Sequence, residues 1–165
     1  MGHNVGASIT TGKFNNLFGG LAGDALTTGD SNTAIGYASL SSDTKGERAV
    51  AVGEGALFAQ NFTSETSNYN TAVGYNAGYA VTTGIENTLI GGLAGDALTT
   101  GSNNVAVGFE ALSTEDAHGA NTAVGFQALK TLNAGATAYN TAVGYEAGEL
   151  ITTCLLYTSP SPRDS

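Results

Sequence analysis

The hydrophobic and polar positions of this chain do not follow one continuous period; they restart. The clearest unit is N-T-A-V-G, at Asn70 to Gly74, Asn121 to Gly125 and Asn140 to Gly144. Variants are NTAIG ending at Gly36, NTLIG ending at Gly91 and NVAVG ending at Gly108. Alternation with β-branched residues, as in Thr71-Ala72-Val73, predicts a short strand in each unit. The glycine that follows it and the Thr-Thr-Gly groups at 10–12, 27–29, 82–84 and 99–101 predict turns that need positive φ. A helix fits less well, because glycines and β-branched residues interrupt every apolar stretch, although 109–117 has the spacing for one turn.

The closing glycine sets a register over the whole chain: Gly2, Gly19, Gly36, Gly53, Gly74, Gly91, Gly108, Gly125 and Gly144, at steps of 17, 17, 17, 21, 17, 17, 17 and 19. Three residues later stands a small residue, usually Ala (Ala22, Ala56, Ala77, Ala94, Ala111, Ala128, Ala147). The residue four after the glycine runs Gly6, Gly23, Leu40, Leu57, then Gly78, Gly95, Leu112, Leu129, then Gly148. Segment 15–29 returns almost unchanged at 87–101, and the insertions at 58–69 and 130–139 both fall in the fourth unit of a block. A duplicated four-unit block of about 70 residues accounts for this, as in arrays whose units touch only their neighbours.

Stacked at about 4.8 Å, such units place each repeat position in a ladder. The expected fold is all-β: a parallel β-solenoid of about nine 17-residue coils over residues 1–153, roughly 43 Å long at that spacing. Asn15, Asn32, Asn70, Asn87, Asn104, Asn121 and Asn140 would form an amide ladder, each side chain bonding the next. A coil with about four large apolar side chains, such as Leu89, Ile90, Leu93 and Leu98, buries little surface against the entropy of ordering 17 residues. Packing against further copies supplies the missing burial, so an oligomer is expected.

Composition narrows the function. Only 12% of residues are charged, where about 25% is usual, and Gly reaches 24 of 165. With five Lys and Arg and a formal charge of −9, the chain has no electrostatic footprint for nucleic acid. No apolar run approaches the roughly 18 residues of a membrane-spanning helix, so no membrane insertion is expected of this stretch. The single Cys makes neither an internal disulfide nor a Cys-based zinc site.

From Cys154 the pattern stops at CLLYTSPSPRDS, which holds that Cys and both prolines. From Cys154 to Asp164 this string resembles the translation of a transposase adapter used in short-read sequencing libraries. Residues 154–165 are therefore expected to be a non-native tail and 1–153 a fragment of a longer protein; a genuine Pro/Ser-rich tail is the alternative.

The repeated N-T-A-V-G-Y-x-A-G/L motif resembles the head repeats of trimeric autotransporter adhesins. It is also similar to repeat arrays of phage tail fibres. The resemblance covers residues 2–153 and implies a left-handed parallel β-roll, three chains side by side, without enzymatic activity. The period of 17 departs from the 14–15 of the adhesins, and their signal peptide, stalk and anchor are not expected within residues 2–153. The resemblance implies a structural or adhesive segment of an extracellular fibre, on a bacterial surface or a virion tail. Its partners would be its own copies, as a homotrimer, and a host-surface glycan or protein receptor.

Candidate sites are few. Tyr37, Tyr75, Phe109, Phe126 and Tyr145 follow repeat glycines, as a column of exposed rings for glycans or as a ladder sealing the coil or an inter-chain seam; Gly20, Glu54 and Gly92 interrupt it. GGLAGDAL at 19–26 and 91–98 resembles a calcium repeat, but Ala22 and Ala94 replace its glycine, and Asp24 and Asp96 lie four coils apart. A turn role for both aspartates is the simpler reading. The Thr-Thr pairs raise an ice-binding solenoid as the alternative function, though four units lack them. His3 and His118 have no repeated partner, and Asp43, Lys45, Glu47 and Arg48 read as a solvated loop. Nothing assembles a nucleophile with a base, so no catalytic residue, metal or cofactor is expected.

Overall fold

The computed structural model describes residues 2–137 and 139–153; the divergent tail, 154–165, lies outside the described residues. Each NTAVG-type unit folds as a three-residue strand ending one residue before the repeat glycine. These are β1 (Asn16–Phe18), β2 (Thr33–Ile35), β4 (Val50–Val52), β6 (Thr71–Val73), β7 (Thr88–Ile90), β8 (Val105–Val107), β9 (Thr122–Val124) and β10 (Thr141–Val143). They form one eight-stranded sheet in chain order, with β3 (Gly46–Glu47) and β5 (Thr66–Ser67) as a separate pair. All pairings are parallel and keep motif register: Thr71 faces Thr88, Ala72 faces Leu89 and Val73 faces Ile90.

The described residues contain no helix, and the chain winds as a β-solenoid of about seven turns. The nine units of the sequence thus give eight paired strands. The first unit joins by turns alone: the Gly6 N–H donates to the Ala22 carbonyl at 3.0 Å and the Ser8 N–H to Asp24 at 3.1 Å. The stretch 109–117, with spacing for a helical turn, folds as part of this winding.

Four residues per coil set the bends. The repeat glycines from Gly19 onward adopt φ between 126° and 142°, and a Cβ on Gly74 would overlap the Gly91 carbonyl of the next coil. Only glycine fits that column. The other three bends have φ of about 50–66° and accept ordinary side chains: Ala38, Leu40 and Arg48 in one coil, Gln127, Leu129 and Tyr139 in another.

Core volume accounts for Gly in the coils of Gly23 and Gly95, whose strand centres are Leu17 and Leu89. In those of Gly78 and Gly148 the strand centre is Ala72 or Ala142, and the space at Gly78 is met by Leu57 and Leu89 of the neighbouring coils. Four columns point inward: the strand centre, and the residues three, four and seven after the repeat glycine. Where Leu40, Leu57, Leu112 and Leu129 occupy the third of these columns, fully buried, the strand centre is Ala34, Ala51, Ala106 and Ala123. Where that position is Gly95, the strand centre is Leu89 and the last column Leu98, and a Cβ on Gly95 would lie 2.8 Å from both. The same volume is filled from a different corner of the coil. Of the four apolar side chains expected to fill this coil, only Leu89 and Leu98 are buried; Ile90 points outward, 39% exposed, because strand neighbours alternate faces.

Candidate functional site

Between the strands and the last bend runs the Asn column. Its Oδ1 atoms accept the backbone N–H one coil on: Asn15 from Asn32, Asn70 from Asn87, Asn87 from Asn104 and Asn104 from Asn121, at 2.9–3.0 Å, and Asn121 from Asn140 at 3.2 Å. Side-chain to side-chain bonds of 3.2–3.3 Å also link Asn70 to Asn140. Their Nδ2 groups also donate to carbonyls 14 residues on, as Asn87 does to Gly101 at 2.9 Å. The main links are therefore side chain to backbone, which meets the need of buried backbone groups for partners.

The column lacks an Asn at Ala49. The Ala49 N–H still bonds to Asn32 Oδ1 at 2.9 Å, and Asn68, from the first insertion, supplies the missing acceptor to the Asn70 N–H at 2.9 Å. The Asn68 amide then donates to the Glu47 carbonyl. The gap at 49 together with an extra Asn two residues before Asn70 was the available signal.

Two buried carboxylates tie down the insertions. Asp43 is fully buried, not part of a solvated loop. It accepts from the Gly46 N–H at 2.9 Å, the Phe62 N–H at 3.1 Å and Gln60 Nε2 at 2.6 Å; Gln60 Oε1 accepts from Asn70 Nδ2 at 2.9 Å. Burial pushes the Asp43 carboxyl above the ordinary carboxylate range, against the pull of these donors. Glu115, 72 residues later and equally buried, accepts from the His118 and Ala134 N–H groups. Both acids reach from one coil into the inserted stretch of the next. His118 does have a carboxylate partner, with Nδ1 3.1 Å from Glu115. Glu115, Asp116 and His118 bring three ligand atoms within 4.8 Å, but both Glu115 oxygens already hold backbone N–H groups. Of the other residues read as a solvated loop, Arg48 pairs with Glu47 at 2.6 Å and lies over the Tyr69 ring.

Two surfaces remain for contact with other molecules. The first is the outer face of the sheet, with Phe18, Ile35, Val52, Val73, Ile90, Val107, Val124 and Val143 in one row and mostly Thr in the other. Phe18 and Val143 are 65% and 61% exposed, and neither row contains a charge. The second is the aromatic column. All five rings face solvent, so they do not seal the coil. Phe109, Phe126 and Tyr145 stack with centroids 5.7 and 5.2 Å apart. In the first half Glu54 stands between Tyr37 and Tyr75, and an open groove of about 270 Å³ lies there, also lined by Asn76 and the stacked pair Phe58–Tyr79.

The hydroxyl of the first Thr of each pair is engaged within the chain, whereas that of Thr28, a second Thr, is buried without a partner. Thr10, Thr27, Thr82 and Thr99 donate Oγ1–H to the carbonyl one coil on, at 2.8–3.1 Å. Asp24 and Asp96 each leave Oδ1 buried without a partner, and burial raises the Asp96 carboxyl. Neither belongs to a group of three or more His, Cys, Asp or Glu side chains placed to share a metal ion among the described residues.

The structure thus defines a parallel β-solenoid repeat protein. No family model matches the sequence, and comparisons with characterised proteins and with solved structures find no similar chain.

Proposed function

We propose that this chain is a stiff structural segment of an extracellular or virion fibre, assembled as a homotrimer through the outer faces of its sheets. One observation carries the reading: the uncharged outer row of an eight-stranded parallel sheet, Ile or Val at every strand but the first, which has Phe18. At about 4.8 Å per strand the row is about 34 Å long. Long apolar surfaces of this kind mark interaction sites rather than free surface. A second copy is the occupant that matches it best, because seven of the eight strands offer Ile or Val at the same place in the row. Copies laid side by side in register then meet coil by coil.

A segment of this kind extends and stiffens a fibre and presents its other faces to a host surface. The ice-binding alternative loses its main support, since the first Thr of each pair spends its hydroxyl on the neighbouring coil. The test is the solution mass of the wild-type chain and of the Ile90→Lys/Val107→Lys double variant, by sedimentation under reducing conditions. The wild type should sediment as three chains and the variant as one, with unchanged circular dichroism. A wild type that sediments as one chain, or a variant that stays trimeric, overturns the reading.

A further inference from the structure

The two halves of the solenoid are copies, and comparing them exposes a vacancy in the aromatic column. Phe126 fills the rung between Phe109 and Tyr145, its centroid 5.7 and 5.2 Å from theirs. The first-half counterpart of Phe126 is Glu54, between Tyr37 and Tyr75. Glu54 stands at that rung without a ring, and the groove of about 270 Å³ opens beside it. The neighbouring positions differ in the same sense. Where the second half has the Lys130–Glu110 ion pair at 2.6 Å, with Gln127 Nε2 also donating to Glu110 at 2.7 Å, the first half has Phe58, Ala38 and Gly55. Phe58 stacks on Tyr79 at 4.8 Å and 2° and forms an aromatic wall.

We propose that the slot between Tyr37 and Tyr75 binds one neutral pyranose ring of a saccharide. A six-membered ring fits in the groove beside the Glu54 side chain, with its C–H faces against the two tyrosines. Its hydroxyls supply donors to the Glu54 carboxylate and both donors and acceptors to the Asn76 amide; both side chains line the groove, and neither has a hydrogen-bond partner among the described residues. A guest phenyl ring would fill the slot but leave Glu54 desolvated without a donor, which is costly. Acidic sugars are disfavoured by Glu54 and by the chain's charge of −9. The proposal deepens the fibre reading by naming what a host surface offers. The slot itself is built from three consecutive coils of one chain and does not depend on trimer formation.

The test is saturation-transfer NMR on the full chain with methyl glycosides of glucose, galactose and mannose at millimolar concentration, and N-acetylneuraminic acid as the anionic control. At least one neutral glycoside should receive saturation, and N-acetylneuraminic acid none. Glu54→Phe, which installs the ring its counterpart coil already carries, should weaken that binding at least tenfold without loss of circular dichroism. Glu54→Gln keeps the slot open and should retain binding, weakened severalfold. No transfer to any neutral glycoside, or equal binding by Glu54→Phe, overturns the proposal. A chain that binds the glycoside yet sediments as a single copy would leave the slot standing and remove the trimer.

Discussion

Leu40, Leu57, Leu112 and Leu129 show how single residues trade terms in this fold. Each sits at φ near 50°, where an L-residue costs about 1–2 kcal/mol. Each is also fully buried, which returns about 1.5–3 kcal/mol. Glycine at the same position avoids the strain and forgoes the burial, so both residues occur there. The Asn column has no such alternative. Asn87→Ala removes the acceptor of the Asn104 N–H and the donor to the Gly101 carbonyl, all in buried surroundings. A loss of about 2–3 kcal/mol is expected, read by urea denaturation, with faster amide exchange at Asn104. The buried Asp43 gives a pH signature. Its folded value lies above its unfolded one, so the folded chain binds more protons in the interval between them. Its contribution to stability is therefore gained as pH falls through that interval and lost as pH rises. Stability measured against pH from 7 down to 4 should improve more in the wild type than in Asp43→Asn; equal slopes would contradict this.

At the scale of one coil, the four core columns act as a unit. Leu89→Ala alone should cost about 3 kcal/mol, and Gly95→Leu alone should also destabilise, because its side chain meets Leu89 and Leu98. Together they recreate the arrangement of Ala123, Leu129 and Leu132, so the double variant should be more stable than the sum of the two losses allows. Strict additivity would refute the shared-volume account. The strand positions and stacking register were legible in the sequence, because the Asn and Gly positions repeat and neither tolerates much else. The direction of Ile90 was not, since a three-residue strand is too short to reveal which side is inward. The left-handed bends at Glu110, Gln127 and Glu146 carried no signal, because those residues do not mark positive φ. Asp43 read as part of a solvated loop, and nothing in the sequence singled out Glu115. Their burial follows from the coil path, which carries them beneath the insertions they anchor. The Glu54 gap in the aromatic column was visible, but its depth depends on Gly55 and on the Phe58–Tyr79 wall, which only the fold brings together.

For the whole molecule, the sheet and the aromatic column belong to neighbouring sides of one rod. Ladder hydrogen bonds and buried Leu and Ala hold the interior, while an uncharged row about 34 Å long is left half-exposed in a single chain. That row separates a self-sufficient solenoid from a fibre segment. The most direct test is the absolute mass of the full chain in dilute solution, by light scattering on a sizing column with reductant present. A single species at three times the 16.5 kDa of one chain, unchanged on tenfold dilution, is the predicted result. A folded species at 16.5 kDa would contradict the account.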